Sequence, residues 1–452
     1  MSGRKVLLVT PYFAPQSHAA VFRVHKLAKY LPQFGWKPYV LTTDTNYLYN
    51  EDPDLEAELS GEVEIHRVRY VEPTLRGLRM ASGGRDRTFN AYKNASLSNG
   101  VNAFVETTRG PGLLQRLYSW ILDSWLQVPD PYWTWRGPAI RKGLELIHQE
   151  QIPVVYTTFL PYTCNVIGFR LQRSGCRWVA DFRDPGTHSH RMSSKVPRVL
   201  EKQRRIERET IAKADQVTAL SSAYSTILGE THGPFRDESI RFIPTGADQQ
   251  LFPAQGSAPI VDYPYLLFAG EFLPEYGTEF FEVFAGAIKN PVVRDLGVKL
   301  LFVGHVILNR GRVEPLLRPI GLEGHVEFVD HVPQKTLYRF VAHARACLLI
   351  PGRDTHWWAS FAKMADFIAL RRPTIAIVPD PSEVRSELSK AGLGVFLDGD
   401  PESSIGLLAD FLLGRLPELH AREAICELYT AHRQVGAFAN VLEGLRAGPQ
   451  GN

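Results

Sequence analysis

Several groupings of polar residues have types and spacing that could do chemistry. Asp181, Arg183 and Asp184 sit at or just past the end of an apolar run, Arg177–Phe182. If that run is a strand, they project from its carboxyl end, where ligands of open α/β sheets bind. A carboxylate there can orient a nucleophile or steady positive charge, and a guanidinium can hold an anion. Lys363 and Asp366 stand three apart in a helical pattern and share one helix face. Gly304 and His305 end the run Lys299–Val303, and Arg353 follows the run Ala346–Ile350. Near the start, Ser17, His18, Ala19 and Ala20 occupy a turn between strand and helix, and a helix N-terminus is an anion site by geometry. Arg23 lies one turn further in. Thr157, Thr158 and Pro161 end the run Val154–Thr157, while His188 and His190 lie just beyond Asp184. Plain structural roles compete throughout: a solvated helix lysine, an exposed helical aspartate, a rim salt bridge for Arg353, an Asp–Arg pair tying down a loop.

The totals exclude some of these uses. At 452 residues the chain exceeds one ordinary domain. A net charge of +3 on 51 basic and 48 acidic residues argues against a dedicated nucleic-acid binder. The basic stretch near 195–213 reads EKQRRIERE at its centre, with charges alternating in sign as on a solvated helix face. Four cysteines (Cys164, Cys176, Cys347, Cys426) lack C-x-x-C spacing, so neither a zinc site nor a disulfide framework is expected. No Asp-x-Asp triplet is read as placed for a metal at a strand end, and no metal or cofactor is expected. No apolar stretch reaches the roughly 20 residues of a membrane span, so a cytoplasmic protein is expected, with contact to the inner face of a membrane left open.

Positioning these residues requires strands alternating with helices. The first half has strand runs at Val6–Val9, Tyr39–Thr42, Val63–Val68, Val154–Thr157, Arg177–Phe182, Gln216–Leu220 and Ile240–Ile243. The second half repeats the pattern at Tyr265–Ala269, Lys299–Val303, Val326–Val329, Ala346–Ile350, Thr374–Val378 and Gly394–Leu397. Such alternation predicts an α/β protein made of two parallel-sheet, Rossmann-like domains. The Pro-, Gly- and Gln-rich stretch 248–264 reads as the linker, giving domains over 1–255 and 256–425 and a C-terminal helix within 426–452 that crosses back to the first domain. One region, 72–135, does not fit. Residues 72–112 are polar, Gly- and Arg-rich and read as a mobile insertion. Then GLLQRLYSWILDSWLQVPDPYWTW, residues 112–135, concentrates four of the eight tryptophans. It suits either a helix capping the core or an amphipathic surface meeting a lipid-linked acceptor at the bilayer through 113–135.

A family resemblance runs through the chain. VTPYFAPQSHAAVFRVHKLAKYL (9–31) resembles the opening strand, loop and helix of retaining GT-B glycosyltransferases, the family 4-like, glycogen-synthase-like group. DFRDPGT (181–187), IPTGADQQLF (243–252), GEFLPEYGTEF (270–280), HVEFVDHVPQKTLYRFVAHARACLLIP (325–351) and AKMADFIALRRPTIAIV (362–378) resemble later landmarks in the expected order. The resemblance implies two domains facing across a cleft and transfer of a hexose from a UDP- or GDP-sugar. It places the nucleotide sugar on the second domain and a glycan or lipid-linked acceptor of polysaccharide or glycoconjugate synthesis on the first.

The roles follow from the same resemblance. In the family's Glu–(seven residues)–Glu motif the second Glu binds ribose seven residues before a Pro; that place is Asp366, counted from Pro373, and the first Glu falls on Trp358. The usual phosphate-binding Arg and Lys fall on Glu271 and Tyr276. Lys363 is therefore expected to take the leaving phosphate, with Gly270, Gly304, His305 and Arg353 completing the donor side. His18, Ala19, Arg23 and Thr158 are expected on the acceptor side, Arg23 matching an arginine of one family branch. Asp184 with Arg183 is expected at the reacting centre. The departures at Glu271, Tyr276 and Trp358 leave two alternatives: a non-catalytic binding subunit on the same fold, or a sugar-nucleotide epimerase.

Overall fold

The computed structural model describes residues 3–17, 19–44, 51–83, 117–118, 120–189, 193–233 and 240–447. They form two compact units. Unit 1 takes the described residues up to Thr245 together with those from Ala431 onward, and unit 2 takes Gly246–Thr430.

Unit 1 is built on seven parallel strands in the order β3-β2-β1-β4-β5-β6-β7. They are β1 (Lys5–Val9), β2 (Lys37–Thr43), β3 (Glu64–Val68), β4 (Val154–Phe159), β5 (Arg177–Phe182), β6 (Gln216–Ala219) and β7 (Ile240–Phe242). Alternate residues feed opposite faces, as strand geometry dictates. Val6 and Leu8 join a core under the helices Ala19–Tyr30 and Ala431–Ala447, while Leu7 and Val9 join a second core under Arg136–Glu150 and Tyr162–Gln172. Both faces are covered, which is why the strands read as continuous apolar runs.

Unit 2 repeats the plan with six parallel strands in the order β10-β9-β8-β11-β12-β13. They are β8 (Tyr265–Ala269), β9 (Lys299–Val303), β10 (Val326–Val329), β11 (Ala346–Leu349), β12 (Thr374–Ala376) and β13 (Gly394–Phe396). Each unit thus reverses strand order once, between β1 and β4 and between β8 and β11. Those reversals are where α/β sheets bind ligands.

Unit boundaries differ from the sequence reading by a few residues. Unit 2 begins before 255 because Ala247 already bridges Thr430 and its N–H donates to Tyr429 O at 2.6 Å. The chain returns to unit 1 at Ala431 rather than 426 because Cys426 and Tyr429 belong to the unit 2 core. In the region 72–135, a short helix spans Leu75–Ala81 with Thr74 capping its N-terminus, where no regular structure was expected. Residues 84–116 and Ser119 lie outside the described residues. The aromatic segment divides: Trp135 is fully buried in the core, whereas Trp120 and Trp125 are 55% and 61% exposed. Among the described residues no helix is long and apolar enough to cross a membrane.

One buried ion pair gathers the carboxyl ends of the unit 1 strands. Arg23, on the helix Ala19–Tyr30, donates to both carboxylate oxygens of Asp181 at 2.7 and 2.9 Å. Asp181 also accepts from the hydroxyls of Tyr156 on β4 and Thr218 on β6, each at 2.7 Å. Arg23 donates onward to Ile243 O at 2.9 Å and lies over the Phe438 ring. Burial pushes the Asp181 carboxyl up, but Arg23 and the two hydroxyls outweigh it and hold the group below its ordinary range. Asp181→Asn is expected to cost about 3–5 kcal/mol at pH 7, because it strands a buried guanidinium. Since the folded value is depressed, this contribution is present above about pH 4 and is lost as pH falls through the folded value. Urea unfolding at neutral and acid pH checks both statements, the gap between wild type and variant closing in acid.

Candidate functional site

Two groups of residues lie at the carboxyl ends of the strands, one in each unit. In unit 1 the loop after β5 carries Arg183 and Asp184. Arg183 donates to Leu160 O at 2.5 Å and to Ala20 O at 3.2 Å, and its guanidinium lies 5.9 Å from the centre of the Tyr12 ring. It thereby ties together the ends of β1, β4 and β5 and the first turn of the helix at Ala19. Its Nε is buried with no hydrogen-bond partner. Asp184 is half-buried, and no described residue hydrogen-bonds its carboxyl. Burial pushes that carboxyl up to about 6, with Arg183 pulling the other way. A desolvated carboxyl beside an incompletely used guanidinium is the signature of a polar site built for something else.

The loop is held from below. Glu207, on the helix Pro197–Lys213, accepts from Thr187 N and Thr187 Oγ1 at 2.6 Å each and contacts His232 Nε2 at 2.8 Å. Gly186 makes this approach feasible, since a Cβ there would stand 1.5 Å from Glu207 Oε1 and its φ is +56°. On the other side Asp130 accepts from Thr163 N at 2.7 Å, Thr163 Oγ1 at 2.8 Å and Tyr132 N at 2.8 Å. That anchors the aromatic segment, so Tyr132 packs edge-on against Tyr12 at 5.3 Å and stacks on Tyr70 at 4.8 Å. Burial pushes the Tyr12 hydroxyl up to about 12 and the Asp130 carboxyl up to about 6.

Of the expected acceptor-side residues, Ala19 is exposed at the start of its helix, and Thr158 is fully buried inside β4 with an unpartnered hydroxyl. His18 and His190 lie outside the described residues. Arg23 is a correction. Its guanidinium points inward to Asp181 and is 2% exposed, so it braces the site instead of meeting a ligand.

In unit 2 the helix Ala362–Ala369 carries Lys363 near its start. Lys363 reaches back so that its Nζ donates to Ala269 O, at the end of β8, at 3.1 Å and lies 4.0 Å from the centre of the Phe268 ring. No carboxylate among the described residues pairs with it. Burial lowers its amine to about 7. Asp366, one turn on, accepts from the Tyr338 hydroxyl at 2.9 Å. Tyr338 in turn accepts from Asp248 N at 3.2 Å. The carboxylate is thus pre-oriented, while a ribose there would have to share it.

Gly270 and Gly304 form a close backbone crossing. Both have positive φ, +105° and +123°, and a Cβ on Gly304 would come within 3.0 Å of Gly270 O. Buried Asn309 clamps the crossing, donating to Gly270 O at 2.8 Å and Gly304 O at 2.7 Å and accepting from Phe272 N at 2.8 Å. His305 follows with φ 24° as the residue before the helix Val306–Leu317.

Arg353 is the second correction. Its donors are spent on Glu279 at 2.8 Å and on the carbonyls of Asp398, Leu397 and Gly399 at 2.6, 3.2 and 2.7 Å, so it braces the end of β13. Asp398 and Asp400 do form an acidic triplet after that strand, contrary to the sequence reading. Both are occupied, Asp398 by Arg385 and Asp400 as the cap of the helix Pro401–Leu412, accepting from Ser403 N at 3.0 Å. Tyr276 packs edge-on against Phe272 at 5.5 Å, and Trp358 is buried against His356. Sequence reasoning missed Asp130, Glu207 and Asn309, whose partners lie far along the chain or in backbone carbonyls.

No protein-family model matches this sequence, and no curated protein matches it either. Solved structures match along the whole chain. A sucrose-phosphate synthase from Thermosynechococcus elongatus aligns at TM-score 0.62 and 18% identity, over 98% of this chain and 99% of the other. A glycosyltransferase from Rickettsia africae aligns at TM-score 0.61 and 12% identity, over 99% and 100%. HepE from Anabaena, solved in complex with UDP, aligns at TM-score 0.59 and 12% identity, over 98% and 100%. These similarities are of fold. The chain has the GT-B glycosyltransferase fold of two Rossmann-like domains.

Lys363 gives a test independent of any ligand. Its amine titrates near 7 in the folded state and about 10.4 unfolded. Below the folded value the native state bears the full cost of a buried charge; between the two values that cost falls as pH rises. Lys363→Met is expected to raise Tm by several degrees at pH 6 and hardly at all at pH 10.5, as calorimetry would read.

Proposed function

We propose that this chain is a retaining glycosyltransferase that moves a hexosyl group from a UDP- or GDP-sugar to a hydroxyl of a glycan or lipid-linked acceptor. The observation that carries the proposal is Lys363, a partly buried amine with no carboxylate partner among the described residues, at the strand reversal of a GT-B unit. A diphosphate there supplies the missing counter-charge and raises the amine's proton affinity, so the lysine becomes charged as the leaving group is bound. The bond from the sugar's anomeric carbon to the diphosphate oxygen breaks, and the acceptor oxygen bonds the same carbon on the same face. The acceptor's proton passes to the departing phosphate oxygen. Gly270 and Gly304 let backbone approach the diphosphate, His305 stands beside it, and Asp366 accepts from the ribose hydroxyls. In unit 1 Asp184 orients the acceptor hydroxyl and Arg183 holds Asp184 ionised, with Ala19 and Thr158 nearby. No step requires a metal.

A thermal-shift panel of nucleotides and nucleotide sugars tests the donor. One nucleoside diphosphate and its sugars should raise Tm, and Asp366→Ala and Lys363→Ala should each weaken that ligand about tenfold or more. Absence of any ligand together with absence of sugar-nucleotide hydrolysis supports a non-catalytic subunit, and isomerised donor without transfer supports an epimerase. Asp184→Asn is expected to lower kcat about 100-fold while donor affinity holds. Wild-type kcat should fall as pH drops through about 6, where Asp184 protonates. Full turnover in Asp184→Asn returns that residue to a structural role.

We also propose that the acceptor is met at a membrane surface. Trp120, Ile121, Trp125, Leu126 and Trp133 are exposed together with Leu75 and Leu78. The Arg198 guanidinium stacks on Trp125 at 3.6 Å, and Arg204, Arg205 and Arg208 are exposed along the same helix. Aromatic side chains beside arginines suit an anionic bilayer. The protein should sediment with phosphatidylglycerol vesicles and not with phosphatidylcholine vesicles. Replacing Trp120 and Trp125 by alanine should abolish sedimentation, and unchanged sedimentation refutes the contact.

A further inference from the structure

We infer that Arg312 is a second diphosphate-binding cation, delivered to the donor turn from the helix Val306–Leu317. The inference rests on the donor reading above and adds a residue that no motif points to. Arg312 Nη1 donates to Glu271 Oε1 at 2.6 Å and to Phe272 O at 2.7 Å. No described residue accepts from its Nε or Nη2, and the side chain is 29% exposed. A guanidinium with one nitrogen anchored and two open N–H faces is pre-oriented for an anion. Lys363 holds the other end of the same turn through Ala269 O. Ala269 and Phe272 are three residues apart, so the anchoring carbonyls cannot be further apart than about 11 Å. Both cations therefore bond carbonyls of one short backbone segment, Ala269–Phe272, which Asn309 clamps by bonding Gly270 O and Gly304 O. Glu271 is the counter-ion that holds Arg312 in place while no ligand is bound.

The chemistry this turn recognises is a pair of linked phosphates, one for each cation. Inorganic pyrophosphate is thus a sufficient probe, without base or sugar. Calorimetric titration of the full chain with pyrophosphate, UDP and GDP, alongside Tm measurements, tests the assignment. Arg312→Gln should weaken pyrophosphate and the preferred nucleoside diphosphate by about tenfold or more, because two charge-assisted bonds are lost. Arg312→Lys should recover part of that affinity. Glu271→Gln breaks the same ion pair but leaves the cation, so pyrophosphate should bind at least as tightly as to wild type. Equal losses in Arg312→Gln and Glu271→Gln would mean that only the ion pair matters, and would overturn the inference. So would unchanged binding in both Arg312 variants while wild type binds UDP or GDP, an outcome that leaves the donor reading standing. If wild type binds none of the three, the donor reading falls and Arg312 falls with it.

Discussion

A carboxylate and a guanidinium, both removed from water, hold the carboxyl ends of the unit 1 strands in register. Asp181 ends the strand that also presents Arg183 and Asp184, and its oxygens are saturated by Arg23, Tyr156 and Thr218. Through Arg23 the constraint extends to Ile243, just past β7, and to Phe438 on the returning C-terminal helix. Charges buried this deeply survive only when every lone pair and proton is used. Full satisfaction here leaves Arg183 and Asp184, just past the end of the same strand, free to be less well satisfied. Pre-organisation on one side of a backbone turn makes incompletely paired polar groups tolerable on the other.

Unit 2 distributes its charges differently. Among the described residues Lys363 has a carbonyl and an aromatic face but no carboxylate, and its lowered affinity for protons is the cost of that arrangement. The acidic residue nearest along the chain, Asp366, is turned to Tyr338. Arg312 differs in kind: its counter-ion Glu271 is present and half-exposed, so the pair can be re-formed around an incoming anion without stranding either charge. The pairing also explains how the turn tolerates a glutamate where a cation is expected by resemblance.

The fold was legible because its strands are buried on both faces. Runs such as LLFA in β8 or VLLV in β1 carry no polar interruption, and each predicted strand is present within a residue or two of its expected bounds. The site was only half legible, for a definite physical reason. A charged residue's place on the chain reveals which element carries it, not the direction its side chain takes. Arg23 and Arg353 sit where a ligand contact is plausible, yet both are engaged by partners distant along the chain, Asp181 for Arg23 and Glu279 with the carbonyls of Leu397–Gly399 for Arg353. Glu207 has the opposite history: it lies in a charge-alternating helix that reads as solvated, and it is fully buried under the loop of Asp184. Nothing local distinguishes it from its exposed neighbour Glu209.

The aromatic segment shows how one stretch serves two surfaces. Asp130 fixes it by three hydrogen bonds, two of them to Thr163 at the start of the helix Tyr162–Gln172. Downstream of that anchor Tyr132 reaches the Tyr12 ring and Trp135 enters the core. Upstream of it, Trp120 and Trp125 remain in solvent, the latter covered on one face by Arg198. The same buried carboxylate therefore sets the position of a ring beside Arg183 and the outward display of the tryptophans. Loss of the Asp130 anchor should disturb both surfaces at once, whereas loss of Trp120 or Trp125 should disturb only the outer one. That asymmetry follows from burial: the inner contacts are mutually braced, and the outer side chains face solvent.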